Sequence, residues 1–261
     1  MTRHGPLAGV RIAITRPAGT GAALARRVRE LGGAPLLLPG STLREAPDAA
    51  IARKTLQTAL ACDIAIFTSP AAVRFARRLG VLRSRAPMLA PGAGTLRAVH
   101  RAGFPNAEAP AREDSEGILA LPALRHVRGL HIGIVGAAGG RGLLDRELTA
   151  RGATVVHAHV YRRLPPRLDR RHAGALLHAT HKPLYVLLSS AEALANILAA
   201  LPGDAHHALL AGAGVVSSAR LATAARKAGF NRVLRAASTH SDTLLATVIV
   251  DSTLFQSKRL S

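Results

Sequence analysis

The sequence predicts an α/β protein built on parallel β-sheets. Short apolar runs alternate with Ala-, Leu- and Arg-rich stretches of helical spacing, and a turn containing Gly, Ser, Thr or Pro separates each run from the next helix. Hydrophobic residues make up 48% of the 261 residues and charged residues 19%, so the chain can bury a sizeable core. Buried strands that alternate with helices form parallel sheets.

Ten apolar runs are predicted as strands, five for each half of the chain. In order they are Arg11–Thr15, Ala34–Leu38, Asp63–Thr68, Pro87–Ala90, Asn106–Ala109, His131–Val135, Thr154–Tyr161, Leu184–Leu188, Ala208–Ala211 and Arg232–Ala236. Each is short enough to be a buried strand and is followed by a stretch with helical periodicity.

The two halves look like copies of one another in a permuted order. Residues 11–38 resemble 131–158, whereas 64–72 resemble 185–193 and 114–120 resemble 241–246. The chain is therefore expected to start one domain, build a complete second domain and then return to the first. We predict two flavodoxin-like domains of about five strands each.

The permuted order also predicts where the domains begin and end. The discontinuous domain is expected over residues 1–40 plus 165–261, and the inserted domain over 41–164. The two linkers are expected at Pro39–Pro47 and Tyr161–Leu168, which are rich in Pro or Arg.

Net charge and residue usage limit the possible partners. The formal charge is +20, and Arg supplies 31 of the 35 basic residues, which favours an anionic partner or reflects a biased composition. Aromatics are only 3%, which argues against a protein that stacks single-stranded nucleic acid. Cys62 is alone, so neither a disulfide within the chain nor a cysteine zinc cluster is possible. Because Met1–Val10 lacks a signal sequence and no segment is typical of a membrane span, we expect a cytoplasmic protein, and we expect a monomer.

The turns that follow the strands are the candidate binding elements. In a parallel sheet they all lie at the carboxyl edge, where helices begin with free N–H groups that stabilise anions. The alternative interpretation is that Ser and Thr only cap helices and that Gly only permits turns. The eight turns are Thr15–Pro17, Thr68–Pro70, Gly92–Thr95, Asp114–Ser115, Gly136–Arg141, Ser189–Ser190, Gly212–Ser218 and Ser238–Ser241.

Few other residues suggest chemistry. His157 and His159 share a strand face, but no carboxylate or Cys is nearby in sequence, so we expect no metal. No complete nucleotide-binding glycine motif is present, and we expect no cofactor. Tyr185 lies within an apolar strand and is expected in the core. Tyr161 ends a strand at a predicted linker and could donate a proton or a hydrogen bond, or could simply pack.

These motifs, in this order along the chain, resemble the uroporphyrinogen-III synthase family. The likeness covers about Arg11 to Ala246 and rests on Ile14–Pro17, Phe67–Val73, Gly92–Thr95, Asp114–Gly117, Gly139–Arg141, Val160–Arg162 and Ser189–Ala193. The resemblance implies a cofactor-free lyase of porphyrin biosynthesis. Its substrate would be hydroxymethylbilane, a linear tetrapyrrole with eight carboxylates, closed to uroporphyrinogen III with inversion of the last ring and loss of water.

The resemblance also implies roles for individual residues. Tyr161 matches the family's tyrosine, proposed to assist departure of the hydroxyl group. The implied substrate contacts are Thr15, Arg16, Ser69, Gly94, Thr95, Ser115, Gly140, Arg141, Ser190, Ser217 and Ser218. A non-catalytic tetrapyrrole- or polyanion-binding protein on the same fold is the alternative. Non-specific nucleic-acid binding driven by charge ranks last, because the two-domain repeat does not require it.

Overall fold

The computed structural model describes residues 5–113, 115–139, 142–178 and 180–260, with the backbone alone for 255–260. Strands and α-helices alternate along most of the chain. In order they are β1 Arg11–Ile14, α1 Ala22–Glu30, β2 Ala34–Leu37, β3 Thr42–Glu45, α2 Ala49–Leu60, β4 Ile64–Phe67, α3 Pro70–Leu79, β5 Met88–Leu89, α4 Ala93–Arg101, α5 Ser115–Leu119, β6 His131–Ala137, α6 Leu143–Ala150, β7 Thr154–Leu164, α7 Arg170–Leu177, β8 Leu184–Leu187, α8 Ala191–Ala200, α9 Gly203–Leu210, β9 Ala213–Val216, α10 Ala219–Lys227, β10 Arg232–Arg235 and α11 Ser241–Leu260.

The chain forms two compact units. One consists of Met1–Thr42 and Leu164–Ser261, and the other of Leu43–Arg163. The first contains a five-stranded sheet in the order β10-β9-β8-β1-β2, with parallel pairing throughout. Numbered within the unit, this is the flavodoxin-like order 2-1-3-4-5, so the predicted fold class with one discontinuous domain is confirmed.

The second unit contains a five-stranded sheet in the order β3-β7-β6-β4-β5. Its run β7-β6-β4-β5 matches β2-β1-β8-β9 of the first sheet, position for position. The sequence repeat predicts this correspondence, because residues 131–158 resemble residues 11–38. The central strands β1, β4, β8 and β9 are buried at every residue, as expected for a sheet with helices on both faces.

One predicted strand is wrong. Ala208–Ala211 was expected to be extended, but α9 occupies Gly203–Leu210 and the strand of this repeat is β9, Ala213–Val216. The apolar run belongs to a helix that buries Ala205 and Leu209, four residues apart on one face. The true strand contains Gly214, which made it look like part of a turn.

Three further segments differ from expectation at the edges of the second sheet. The predicted strand Asn106–Ala109 forms only an isolated bridge between Glu108 and Leu89. The predicted linker Pro39–Pro47 contains β3, and β7 continues through Tyr161 to Leu164. Within the part of the chain that is described, no helix is long and apolar enough to cross a membrane.

Candidate functional site

In the first unit, Thr15 connects the ends of two neighbouring strands. It directly follows β1 and is fully buried. Its Oγ1 donates to the Leu187 carbonyl at 2.8 Å and accepts from the Ser189 N–H at 2.9 Å, while the Ser189 hydroxyl donates to the Thr15 carbonyl at 3.0 Å. Thr15 therefore holds the β1 and β8 ends together beneath the carboxyl edge.

The other predicted residues of this unit lie at the same edge and are half-buried. Arg16 follows β1, and its Nη2 donates to the Ser241 hydroxyl at 3.3 Å. Burial lowers the pKa of its guanidinium from the ordinary value. Ser190 caps α8 by accepting from the N–H of residue 193, and Ser218 caps α10 by accepting from that of residue 221. Ser217 immediately precedes this second cap.

In the second unit, Ser69 and Tyr161 meet at the carboxyl edge. Ser69 follows β4 and caps α3, its Oγ accepting from the Ala72 N–H at 3.1 Å. The Tyr161 hydroxyl lies 3.2 Å from the same Oγ. Because the Ser69 oxygen already accepts from the backbone, its own proton can point to the phenol oxygen. The phenol proton is then available to a ligand.

Packing fixes the ring of Tyr161. The ring stacks on Phe75 with centroids 5.2 Å apart and planes 12° from parallel, and only 7% of the residue is exposed. The pairing of β6 with β7 shifts beside it, since Gly136 pairs with His159 but Ala137 pairs with Tyr161. Such an extra residue bends a strand and re-aims its side chains, and it recurs next to active sites.

A cavity of about 410 Å³ opens at this edge, entirely within the second unit. Its walls come from the ends of β4 and β6, from β7 and from the start of α6. The lining residues are Ile66, Thr68, Ser69, Pro91, Ser115, Ile134, Gly136, Ala137, Gly139, Gly142–Asp145, His157, His159, Tyr161 and Arg163. The structure thus brings Ser69, Ser115 and Tyr161 to one cavity.

Two glycines in this region lie close to a neighbouring side chain. A Cβ at Gly136 would collide with the Thr68 hydroxyl, so the cavity floor requires glycine there. At Gly92, a Cβ would lie 2.7 Å from the carboxyl carbon of Glu113. Both positions mark a close approach, and neither depends on an unusual φ.

The amino terminus of α4 already holds a carboxylate from the chain itself. Glu113 Oε1 accepts from the Ala93 N–H at 2.6 Å. Thr95 is 5% exposed in the first turn of α4, and the exposed Gly94 precedes it. Neither is among the residues that line the cavity. Gly140 and Arg141 lie outside the described residues.

Two acidic side chains at this edge were not identified from the sequence as site residues. They are Glu113, which holds the start of α4, and Asp145, which lies in the first turn of α6. Asp145 Oδ1 lies 2.8 Å from His157 Nε2, so a carboxylate does accompany the histidine pair in space. Among the described residues, no group of three or more His, Cys, Asp and Glu is arranged to hold a metal ion. No sequence signal joins Asp145 to His157, because their contact depends on how α6 packs on β7.

Sequence comparison identifies relatives over most of the chain. A family model described as uroporphyrinogen-III synthase HemD matches residues 22–246. The uroporphyrinogen-III synthase of Salmonella typhimurium is 33% identical over 244 residues, which covers 90% of this chain and 98% of that protein. The Escherichia coli K12 uroporphyrinogen-III synthase is 32% identical over 249 residues, with the same coverage.

Solved structures share the fold. A mutant uroporphyrinogen III synthase from the extremely thermophilic bacterium Thermus thermophilus matches with a TM-score of 0.62 at 23% identity, covering 95% of this chain and 99% of that one. The uroporphyrinogen-III synthetase of Helicobacter pylori 26695 matches with a TM-score of 0.57 at 15% identity, covering 92% and 98%. At these identities, the structural likeness bears on the fold alone.

Proposed function

This chain belongs to the uroporphyrinogen-III synthase family, and we propose that it cyclises hydroxymethylbilane to uroporphyrinogen III, with inversion of ring D and loss of water. In enzyme terms this is a cyclising lyase that acts on a linear tetrapyrrole. We propose further that it works in the cytoplasm as a monomer, without a cofactor and without specific nucleic-acid binding.

The observation that carries the proposal is the Ser69–Tyr161 pair in its cavity. A phenol held by stacking on Phe75, and by a hydroxyl 3.2 Å away, can direct its proton at a leaving hydroxyl group. Positioning matters here because the linear substrate also closes unaided to the type I isomer. The protein's task is to hold the reactive ends in one geometry and to exclude the competing one.

Polar groups at the carboxyl edges are the proposed carboxylate contacts. In the second unit these are Ser69 and Ser115, which line the cavity. We propose that carboxylates also contact Gly94, Thr95, Gly140 and Arg141. In the first unit they are Arg16, Ser190, Ser217 and Ser218, and Thr15 supports them by fixing the β1 and β8 ends. Helix amino termini and half-buried hydroxyls stabilise carboxylates without one basic side chain for each charge.

Isomer analysis tests the function directly. Purified protein is given freshly made hydroxymethylbilane, and the products are oxidised and separated by chromatography, beside samples with no protein and with heat-denatured protein. We expect the type III isomer to dominate only with native protein. Type I alone would refute the catalytic proposal. If tetrapyrrole binding were nevertheless retained, a non-catalytic binding protein on the same fold would become the better description.

A further inference from the structure

Two histidines form a wall of the cavity that the proposed catalytic step does not use. His157, His159 and Tyr161 all come from β7 and line the cavity. The two imidazole rings stack with centroids 5.6 Å apart and planes 21° from parallel. Both residues are exposed to the cavity, although they lie on a strand whose neighbouring residues Ala158 and Val160 are buried.

The two rings have different partners. Asp145, in the first turn of α6, has its Oδ1 2.8 Å from His157 Nε2, which orients the His157 ring. No hydrogen bond or ion pair joins His159 to any other residue in the described part of the chain. The imidazole of His159 therefore presents its polar nitrogen atoms to the cavity, beside a neighbour that a carboxylate already holds.

Burial and a neighbouring charge both disfavour the protonated ring of His159 in the free protein. The titratable or charged side chains that line the same cavity are His157, Tyr161 and Arg163 from β7 and Asp145 from α6. The pKa of His159 lies below its ordinary value, first because burial penalises the charged ring and second because of the charge on His157. An anion placed over the ring would offset both effects.

We propose that His159 binds one carboxylate of the tetrapyrrole substrate and takes up a proton as it does so. The inference rests on the proposed function, since that function brings a polycarboxylate to this cavity. The His157–Asp145 pair is the positioning element, because it fixes the ring on which His159 stacks. Asp145 also shows, within the free protein, how a carboxylate pairs with an imidazole of this wall.

The proposal fixes the sign of the pH dependence. Since a bound carboxylate favours the protonated ring, affinity should be highest below the free-protein pKa of His159 and should fall as pH rises through the higher pKa of the complex. A displacement of about one pKa unit corresponds to about a tenfold change in affinity. The carboxylates of the ligand stay ionised over this range, so they add little slope of their own.

Calorimetric titration with uroporphyrinogen III under nitrogen measures the affinity and the proton uptake on binding. Titrations at about pH 6 and pH 8, each in two buffers of different ionisation enthalpy, give Kd and the protons taken up. Because the pKa of His159 in the free protein lies below its ordinary value, pH 6 samples only part of the tenfold change. We expect Kd of the unaltered protein to rise about threefold over this interval, with net proton uptake at the lower pH. His159→Gln should bind about threefold more weakly at the lower pH, match the unaltered protein at the higher pH and take up no proton.

His207→Gln is the matched control. His207 also neighbours a second histidine ring, 6.1 Å away, but lies exposed on α9 in the other unit. It should leave Kd and proton uptake unchanged. His159→Asn serves as a second variant, and circular dichroism checks that each variant is folded.

Two results would overturn the inference. The first is that His159→Gln keeps the pH dependence of Kd and the proton uptake. The second is that the unaltered protein binds no uroporphyrinogen III. Isomer analysis judges the proposed function separately. If the unaltered protein forms the type III isomer normally and His159→Gln keeps the Kd, pH dependence and proton uptake of the unaltered protein, the role of His159 is refuted and the proposed enzyme function stands.

Discussion

Replacing Tyr161 with phenylalanine removes one oxygen atom and leaves the ring in place. The stack on Phe75, with centroids 5.2 Å apart, needs only the ring. The contact that is lost is the hydroxyl pair with Ser69 at 3.2 Å, which is long for a hydrogen bond between two oxygens. Ser69 keeps its bond from the Ala72 N–H at 3.1 Å, so no cap is broken. The structural cost should be about 1 kcal/mol, or about fivefold in the folding equilibrium.

The catalytic cost should be far larger if the phenol delivers a proton to the leaving hydroxyl. General acid catalysis contributes about 100-fold or more to a rate. We therefore expect kcat for type III formation to fall at least about 100-fold, and the Kd for uroporphyrinogen III to change less than about fivefold. Urea denaturation measures the loss of stability, isomer-resolved kinetics the loss of kcat, and calorimetry the change in Kd.

Comparison with Ser69→Ala separates the two roles. That variant loses the same hydroxyl pair and the cap of α3, so it should lose about 1 kcal/mol of stability while it keeps the phenol. Its kcat should fall less than that of Tyr161→Phe. If Tyr161→Phe lowers kcat and product affinity by the same factor, Tyr161 acts through packing and binding, and the assignment of a proton donor fails.

Two other predictions concern stability. Thr15→Val keeps the shape of the side chain but removes the oxygen that accepts from the Ser189 N–H at 2.9 Å, so the free energy of unfolding should fall by about 1–3 kcal/mol. Exposed Thr223→Val is the control, and equal urea midpoints for the two variants would contradict this account. Burial and the hydrogen bond to Asp251 at 2.6 Å raise the pKa of Tyr185, so the folded state keeps the phenol proton and stability should decline as pH rises above about 10, where the unfolded chain ionises. Tyr185→Phe should lack that alkaline decline in urea denaturation measured between about pH 9 and 11, and a decline of equal size in both proteins would exclude Tyr185 as its source.

Most of the fold could be predicted because the central strands carry a strong local signal. Strands buried on both faces, such as Ile64–Phe67 and Leu184–Leu187, read as continuous apolar runs between turn residues. Edge segments lack that signal. Strand β3 has the sequence Thr-Leu-Arg-Glu with no buried residue, and only its pairing beside β7 makes it a strand. The misplaced strand at 208–211 shows that a short apolar run alone does not distinguish a helix end from a strand.

The candidate site was predictable where it depends on strand ends and not where it depends on packing between elements. Ser69 and Ser190 follow strands and precede helices, so their place at the carboxyl edge follows from the fold. The contacts of Tyr161 with Ser69 and of His157 with Asp145 join residues 92 and 12 positions apart. These pairs form because β7 bulges beside β6 and α6 packs over it, and no local pattern encodes that geometry.

The contact of Glu113 with α4 shows that not every helix amino terminus at the carboxyl edge of a parallel sheet is open to a ligand carboxylate. A sequence argument counts every helix amino terminus as a place for a ligand carboxylate. At α4 the Ala93 N–H already bonds to Glu113 at 2.6 Å, so a ligand must displace an internal carboxylate before it binds there. Serine caps compete less, because the hydroxyls of Ser190 and Ser218 satisfy only the N–H three residues on. Helix α3 has a serine cap but begins with Pro70, which has no N–H to offer. The first turn of α8 contains the carboxylate of Glu192, whereas that of α10 contains no acidic residue. On this count, the start of α10 is the strongest carboxylate position of the three, and the start of α3 contributes chiefly through its hydroxyl and its contact with Tyr161.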